Sequence, residues 1–196
     1  MGRKTQITKE RILETALQIL LRDGYEAITI KSLAAAIGCS TQPIVWHFEN
    51  MNGFRKAFYE YCMDVAKSQF TVWNGSLEDL LTETARGYIT IASNMPNLFR
   101  FVFADDQGIQ KNIEVVQAMQ LDSTTKLVQL LCQEKGLTEE QAKSFLMDYE
   151  FYIHGIASYT ASGFCNYSEA KLIAMANRAR DAFLACEKEM NAHAAQ

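Results

Sequence analysis

Apolar residues recur along this chain at the three-to-four spacing of helices buried on one side. The first stretch is the clearest. Ile12, Leu13, Ala16, Leu17 and Leu20 form one stripe between Thr8, a residue that caps helix starts, and Gly24, a residue that ends them. Gly, Pro, Asn and Ser divide the remainder in the same way. Three short units are expected at about 29–37, 40–47 and 50–73, followed by a helix from Ser76 to about Asn94. Pro96 opens a short helix that ends at Asp105-Asp106-Gln107-Gly108, and a longer one reaches Lys135-Gly136. Thr138 and Gln141 make a capping box for a helix to Gly163, and Ser168 caps a last helix to about Met190. The pattern predicts an all-α fold of about nine helices.

Composition agrees with the periodicity. The 196 residues include only two prolines, and 48% are apolar, enough to bury a core. No apolar run approaches the roughly 18 residues needed to cross a bilayer, and no apolar leader follows the first residues, so a cytoplasmic location is expected. The net charge of −4 argues against a nucleic-acid partner until it is divided along the chain. Residues 1–60 carry 8 Lys or Arg against 6 Asp or Glu, whereas residues 61–196 carry 11 against 17. A mildly basic head precedes an acidic body.

The most informative stretch runs from Thr29 to Phe48 and reads as two short helices around a tight turn. Thr29 caps the first, small Ala34 and Ala35 permit close approach, Gly38 takes the left-handed conformation and Ser40 caps the second. Pro43 is tolerated because the first turn of a helix has no intrahelical acceptor for its amide. Ile44, Val45 and Phe48 are expected inward, which leaves Thr41, Gln42, Trp46 and His47 on an outer face that fits the major groove. A basic arm with Arg3, Lys4, Lys9 and Arg11 precedes it.

In these features the chain resembles the tetracycline-repressor (TetR) family. The likeness covers residues 8–60: Arg11-Ile12-Leu13 through Ala16 and Leu20 to Gly24-Tyr25, the Thr29 to Leu33-Ala34 helix, Gly38-x-Ser40, and Trp46-His47-Phe48 followed by Asn50. Further on, Gly87-Tyr88, the run Asn94-Met95-Pro96-Asn97-Leu98-Phe99-Arg100-Phe101 with Phe103, and His154-Gly155-Ile156-Ala157 are similar to the ligand domain of a large subgroup. The resemblance implies a homodimeric regulator, usually a repressor, that a small molecule releases from operator DNA. Its helix-turn-helix would occupy residues 1–50, linked by a helix over 50–73 to an effector-binding and dimerisation domain within 51–196. The DNA-contacting set is then Arg3, Lys4, Thr29, Lys31, Ser40, Thr41, Gln42, Pro43, Trp46, His47 and Asn50. Glu49 and Met51 depart from the family, because many relatives carry basic residues there, and each phosphate left without its cation flattens the salt dependence by roughly 0.9 in log-log slope.

In the body, Trp73, Tyr88, Phe99, Phe103, Met119, Tyr149 and Tyr152 are candidates to line an apolar effector pocket, although such residues also build cores. Leu172, Ala176, Ala179, Phe183 and Cys186 repeat at alternating spacings of four and three, a seam that wants a partner helix, with Gly155, Ser158 and Ser162 as small residues for close approach. The seam could pack on the body's own core, and the family resemblance favours a four-helix dimer bundle, two helices from each subunit. His154 is read as a structural histidine.

No catalytic constellation is recognisable, and the five cysteines are too dispersed for a metal site or a disulfide framework. No cofactor is expected. Two other readings remain open: a helical interaction module whose DNA head is weakened at Glu49 and Met51, and a thiol-based redox regulator using Cys39 in the turn.

Overall fold

The computed structural model describes residues 7–70, 76–104 and 125–194. Among these residues every regular element is helical. They form two compact units, one built from residues up to Ser68 together with the segment that begins at Met95, the other from Gln69–Asn94 and the C-terminal helices. Arg3, Lys4, Trp73 and Met119 lie outside the described residues.

In the first unit, α1 spans Lys9–Asp23. The Thr8 hydroxyl accepts the Arg11 amide at 3.2 Å, and Gly24, at φ 85°, closes the far end with its own amide on the Leu20 carbonyl. Ile12, Leu13, Ala16, Ile19 and Leu20 are buried. A single 3₁₀ turn, Tyr25–Ala27, leads to α2, Ile30–Ile37. Thr29 and Ser32 cap α2 reciprocally, and the Ser32 hydroxyl also donates to the Ala27 carbonyl at 2.8 Å. Gly38 ends it in the left-handed conformation (φ 78°, ψ 37°).

The second helix of the pair, α3, runs Gln42–Phe48 and starts one residue later than expected: Thr41, not Ser40, is the cap residue, and its side chain makes no capping bond. The next helix, α4 (Met51–Lys67), is capped by Asn50, whose carboxamide oxygen accepts the Asn52 and Gly53 amides at 2.9 and 3.0 Å. Between them Glu49 stands at φ 62°, ψ −49°, and the Asn50 amide reaches the Phe48 carbonyl at 2.6 Å, a three-residue turn. The close joint explains Gly53, because a Cβ there would collide with the Phe48 carbonyl oxygen.

Aromatic rings fill this unit. Phe48 meets Phe54 edge-on at 5.2 Å, Phe54 stacks on Phe58 at 5.4 Å, and Phe58 lies 5.3 Å from Phe101, which stacks on Tyr25 at 4.7 Å. Phe101 belongs to the segment formed by α6, Pro96–Phe99, and the π-helical turn Arg100–Ala104 that continues it. The Asn97 side-chain amide donates to the Leu21 carbonyl at 3.1 Å and ties that segment to α1.

The second unit packs α5 (Leu77–Asn94), α7 (residues 125–135), α8 (Glu139–Ala161) and α9 (Glu169–Ala194) around Leu81, Ile89, Leu131, Phe145, Ile153 and Leu172. Thr138 and Gln141 form the expected capping box, and Ser76 and Asp79 cap α5 reciprocally. Gly87 is buried because the Phe70 ring occupies the space that a Cβ would need.

Gly53→Ala should lower stability by about 1–3 kcal/mol, the usual scale of overpacking, because the obstructing atom is backbone. Calorimetry of the variant beside the unaltered chain checks the loss. Burial pushes the Cys62 thiol far above its ordinary range, whereas Cys186 is exposed. Alkylation near neutral pH, read by mass spectrometry, should therefore spare Cys62 in the native protein and label it once the chain is unfolded.

Candidate nucleic-acid interface

Two helical turns give α3 few ways to divide its residues. Ile44 and Phe48, four apart, are 1% and 5% exposed and anchor it. The opposite side carries Thr41, Gln42, Val45 and Trp46, all exposed, with Trp46 at 73%. Two positions differ from expectation. Val45, expected inward, is 43% exposed, because the anchoring pair already supplies one contact per turn and position 45 falls about 100° around the helix from Ile44. His47, expected outward, is half-buried, and its Nε2 lies 2.8 Å from the Ile7 carbonyl. A carbonyl only accepts, so Nε2 carries the proton, and His47 ties the helix to the chain just before α1. The Trp46 ring stands edge-on to His47 at 4.7 Å.

The other members of the expected set divide by task. Ser40, Thr41, Gln42 and Lys31 are exposed, and Pro43 sits half-buried in the first turn. The Thr29 hydroxyl is engaged in the α2 cap, and the Asn50 carboxamide oxygen in the α4 cap. Among the cations, Lys9 Nζ lies 5.6 Å above the Phe48 ring. The Arg55 guanidinium donates to the Tyr25 hydroxyl at 2.7 Å, so it braces α4 against the 3₁₀ turn. Sequence reasoning missed the outward turn of Val45 and the bond from His47 to a residue 40 positions away. Helical periodicity carries no signal for the second of these.

Two helices at a glycine turn, the second docked by its inner face and bare on its outer one, are the geometry of a helix-turn-helix reader of DNA. Residues 12–58 match the model of the family described as bacterial regulatory proteins, tetR family. Over those residues the chain is similar to the tetR family. Comparison with curated proteins finds no match. Among solved structures, a TetR-like transcriptional regulator from Rhodococcus sp. RHA1 is 12% identical, with a TM-score of 0.70 over 94% of this chain and 98% of that one. TetR from Acinetobacter baumannii AYE is 17% identical, with a TM-score of 0.59 over the same shares. A variant of that protein in complex with minocycline gives 18% and 0.60, again over 94% and 98%. At such identities the likeness is one of fold, and it extends over both units.

The expected effector residues do not all have the same surroundings. Phe99 and Phe103 lie 5.3 Å apart in the first unit. Tyr88, Tyr149 and Tyr152 belong to the second, where Tyr149 is core: it stacks on Phe145 at 5.9 Å and donates to the Leu81 carbonyl. Tyr88 faces His154 edge-on at 6.2 Å, and Tyr152 meets Phe183 at 6.0 Å. An open cleft between α1 and α2, lined by Arg11, Glu14, Gln18 and Arg22 among others, is too polar to suit an apolar ligand.

The α9 seam is largely internal. Leu172 and Ala176 are fully buried, Phe183 packs against that core and Ala179 is half-buried, whereas Cys186 is exposed. Apolar surface stays open elsewhere, at Met147, Phe151 and Tyr159 on α8, beside half-exposed Gly155 and Ser158 and exposed Ser162.

Lys31→Ala should flatten the salt dependence of DNA binding by about 0.9 in log-log slope for each phosphate it neutralises, with the base preference unchanged. His47→Phe, which keeps a ring but deletes the bond to the Ile7 carbonyl, should weaken binding about five- to tenfold, the effect of about 1 kcal/mol. Anisotropy titrations at several salt concentrations measure both, and an unchanged slope would remove Lys31 from the backbone contacts.

Proposed function

We propose that this chain is a DNA-binding regulator of the tetR family that acts in the cytoplasm as a homodimeric repressor on a palindromic operator and is released by a small apolar or aromatic effector. The observation that carries the DNA reading is the bare outer face of α3, with Thr41, Gln42, Val45 and Trp46 exposed above the buried Ile44 and Phe48. Residues 1–50 would supply the groove and phosphate contacts. A symmetric dimer spaces two recognition helices about 34–36 Å apart to enter successive major grooves, which makes the operator palindromic.

The dimer surface favoured by exposure is the open α8 stripe Met147-Phe151-Gly155-Tyr159; Ala174, Ala182, Ala185 and Cys186 on α9 are exposed as well. Three large apolar side chains left facing solvent along one helix are the profile of a surface that another copy covers. For the effector, one matched structure was obtained with minocycline, which supports a small-molecule ligand for a fold of this kind. The aromatic content of the body favours an apolar or aromatic one. No catalytic role is proposed, and among the described residues no His, Cys, Asp and Glu cluster could hold a metal ion. No helix among them is long and apolar enough to cross a membrane.

The test is a gel shift with DNA from upstream of the chain's own gene and of its neighbours. A shift that small aromatic compounds reverse supports the reading, whereas no shift with any sequence favours a helical interaction module with a disabled head. Phe151→Glu should give monomers in sedimentation with helical content unchanged. Should it stay dimeric, the interface lies elsewhere on the chain.

A further inference from the structure

Resting on the reading of α3 as the DNA-contacting helix, we propose that Val45 is a specificity-determining residue that recognises thymine by its 5-methyl group. Val45 is 43% exposed, while the anchoring of α3 is carried by Ile44 and Phe48 at 1% and 5%. A β-branched residue is not favoured in a helix for its own sake, and half-exposed it contributes little to the core. What it presents outward is two methyl groups and no polar atom. In the major groove the four bases offer donors and acceptors, and thymine alone adds an apolar group.

The neighbours on this face sharpen the assignment. Gln42 precedes Val45 by three residues, about 4.5 Å along the helix axis, close to the roughly 3.4 Å between base pairs. A Gln carboxamide pairs with the adenine edge through two hydrogen bonds. Gln42 and Val45 are therefore placed to meet the two bases of one A·T pair, or of adjacent pairs, the carboxamide on adenine and the isopropyl group on the thymine methyl. Trp46 is engaged edge-on with His47, and His47 with the Ile7 carbonyl, so the side of α3 facing the chain before α1 is held in place while Gln42 and Val45 stay open.

The experiment uses the full chain. An operator is selected from a random DNA library, and each thymine is then replaced in turn by deoxyuridine, which deletes the methyl group and keeps every hydrogen-bonding atom. Dissociation constants are measured at one salt concentration for the unaltered chain, Val45→Ala and Val45→Thr. One thymine per half-site should lose about fourfold in affinity on demethylation, the effect of one buried methyl group. The same swap should have no effect with Val45→Ala and a reduced one with Val45→Thr, which keeps the shape but exchanges one methyl for a hydroxyl. Circular dichroism shows whether either variant has lost its fold, and the intact one carries the comparison. Thymines that can all be demethylated at no cost would overturn the assignment and leave the DNA reading standing. A methyl effect that persists undiminished in both variants would pass the role to another residue and overturn it equally. A chain that selects no sequence at all removes the DNA reading, and this proposal with it.

Discussion

Everything the head can present to DNA depends on how Phe48 is held. A helix of two turns is far too short to persist alone, so α3 exists because its inner residues are docked. Phe48 is gripped twice. Its ring lies edge-on to Phe54, and its carbonyl sits against the glycine backbone at position 53. The turn between the two helices is correspondingly tight, with Glu49 in a conformation that non-glycine residues seldom adopt. The ring series continues through Phe58 to Phe101 and Tyr25, each contact adding about 0.5–1.5 kcal/mol beyond its buried area. The aim of Gln42 and Trp46 is therefore set by residues on the other side of the helix, which no ligand in the groove would touch.

Much of the architecture was legible because capping is local chemistry. Thr8, Thr29, Gly38 and Thr138 with Gln141 announce helix ends through bonds that span three or four residues, and the folded chain makes those bonds; the reciprocal bond to Ser32 is added by the structure. The recognition helix was harder for the same reason. Seven residues leave periodicity little to average over, so whether position 45 faces in or out is decided by the packing of Ile44 and Phe48. His47 is a plainer case. Its partner is a backbone carbonyl 40 residues away, and a carbonyl has no side-chain identity to recognise. Asn50 shows the converse, since a residue placed with the DNA contacts by resemblance works in the structure as the cap of α4.

The long helices of the body expose a different limit. On α9 the four-and-three repeat from Leu172 to Cys186 marks a buried face, but a repeat cannot say whether the burying partner is the same chain or another. Here α5 and α8 take up its first half. The open surface instead lies on α8, where the glycine and serines among Met147, Phe151 and Tyr159 dilute the apolar signal. Exposure in the folded chain, not periodicity, separates the two stripes.

Charge makes the last connection. Glu49 and Met51 leave the end of α3 without basic residues, and several cations of the head are engaged within it: Lys9 over the Phe48 ring, Arg55 on the Tyr25 hydroxyl, Arg22 beside Asp23 at 2.7 Å. Among the described residues of the head, Lys31 and Lys56 are the exposed lysines best placed to supply the phosphate contribution, which makes protein–DNA affinity strong and sequence-blind. The outer face of α3 is itself polar or apolar, with no cation among Thr41, Gln42, Val45 and Trp46. Neutralising phosphate and reading a base are therefore tasks for different residues of the head, the first resting on charge alone and the second on the shape and hydrogen bonding of that face.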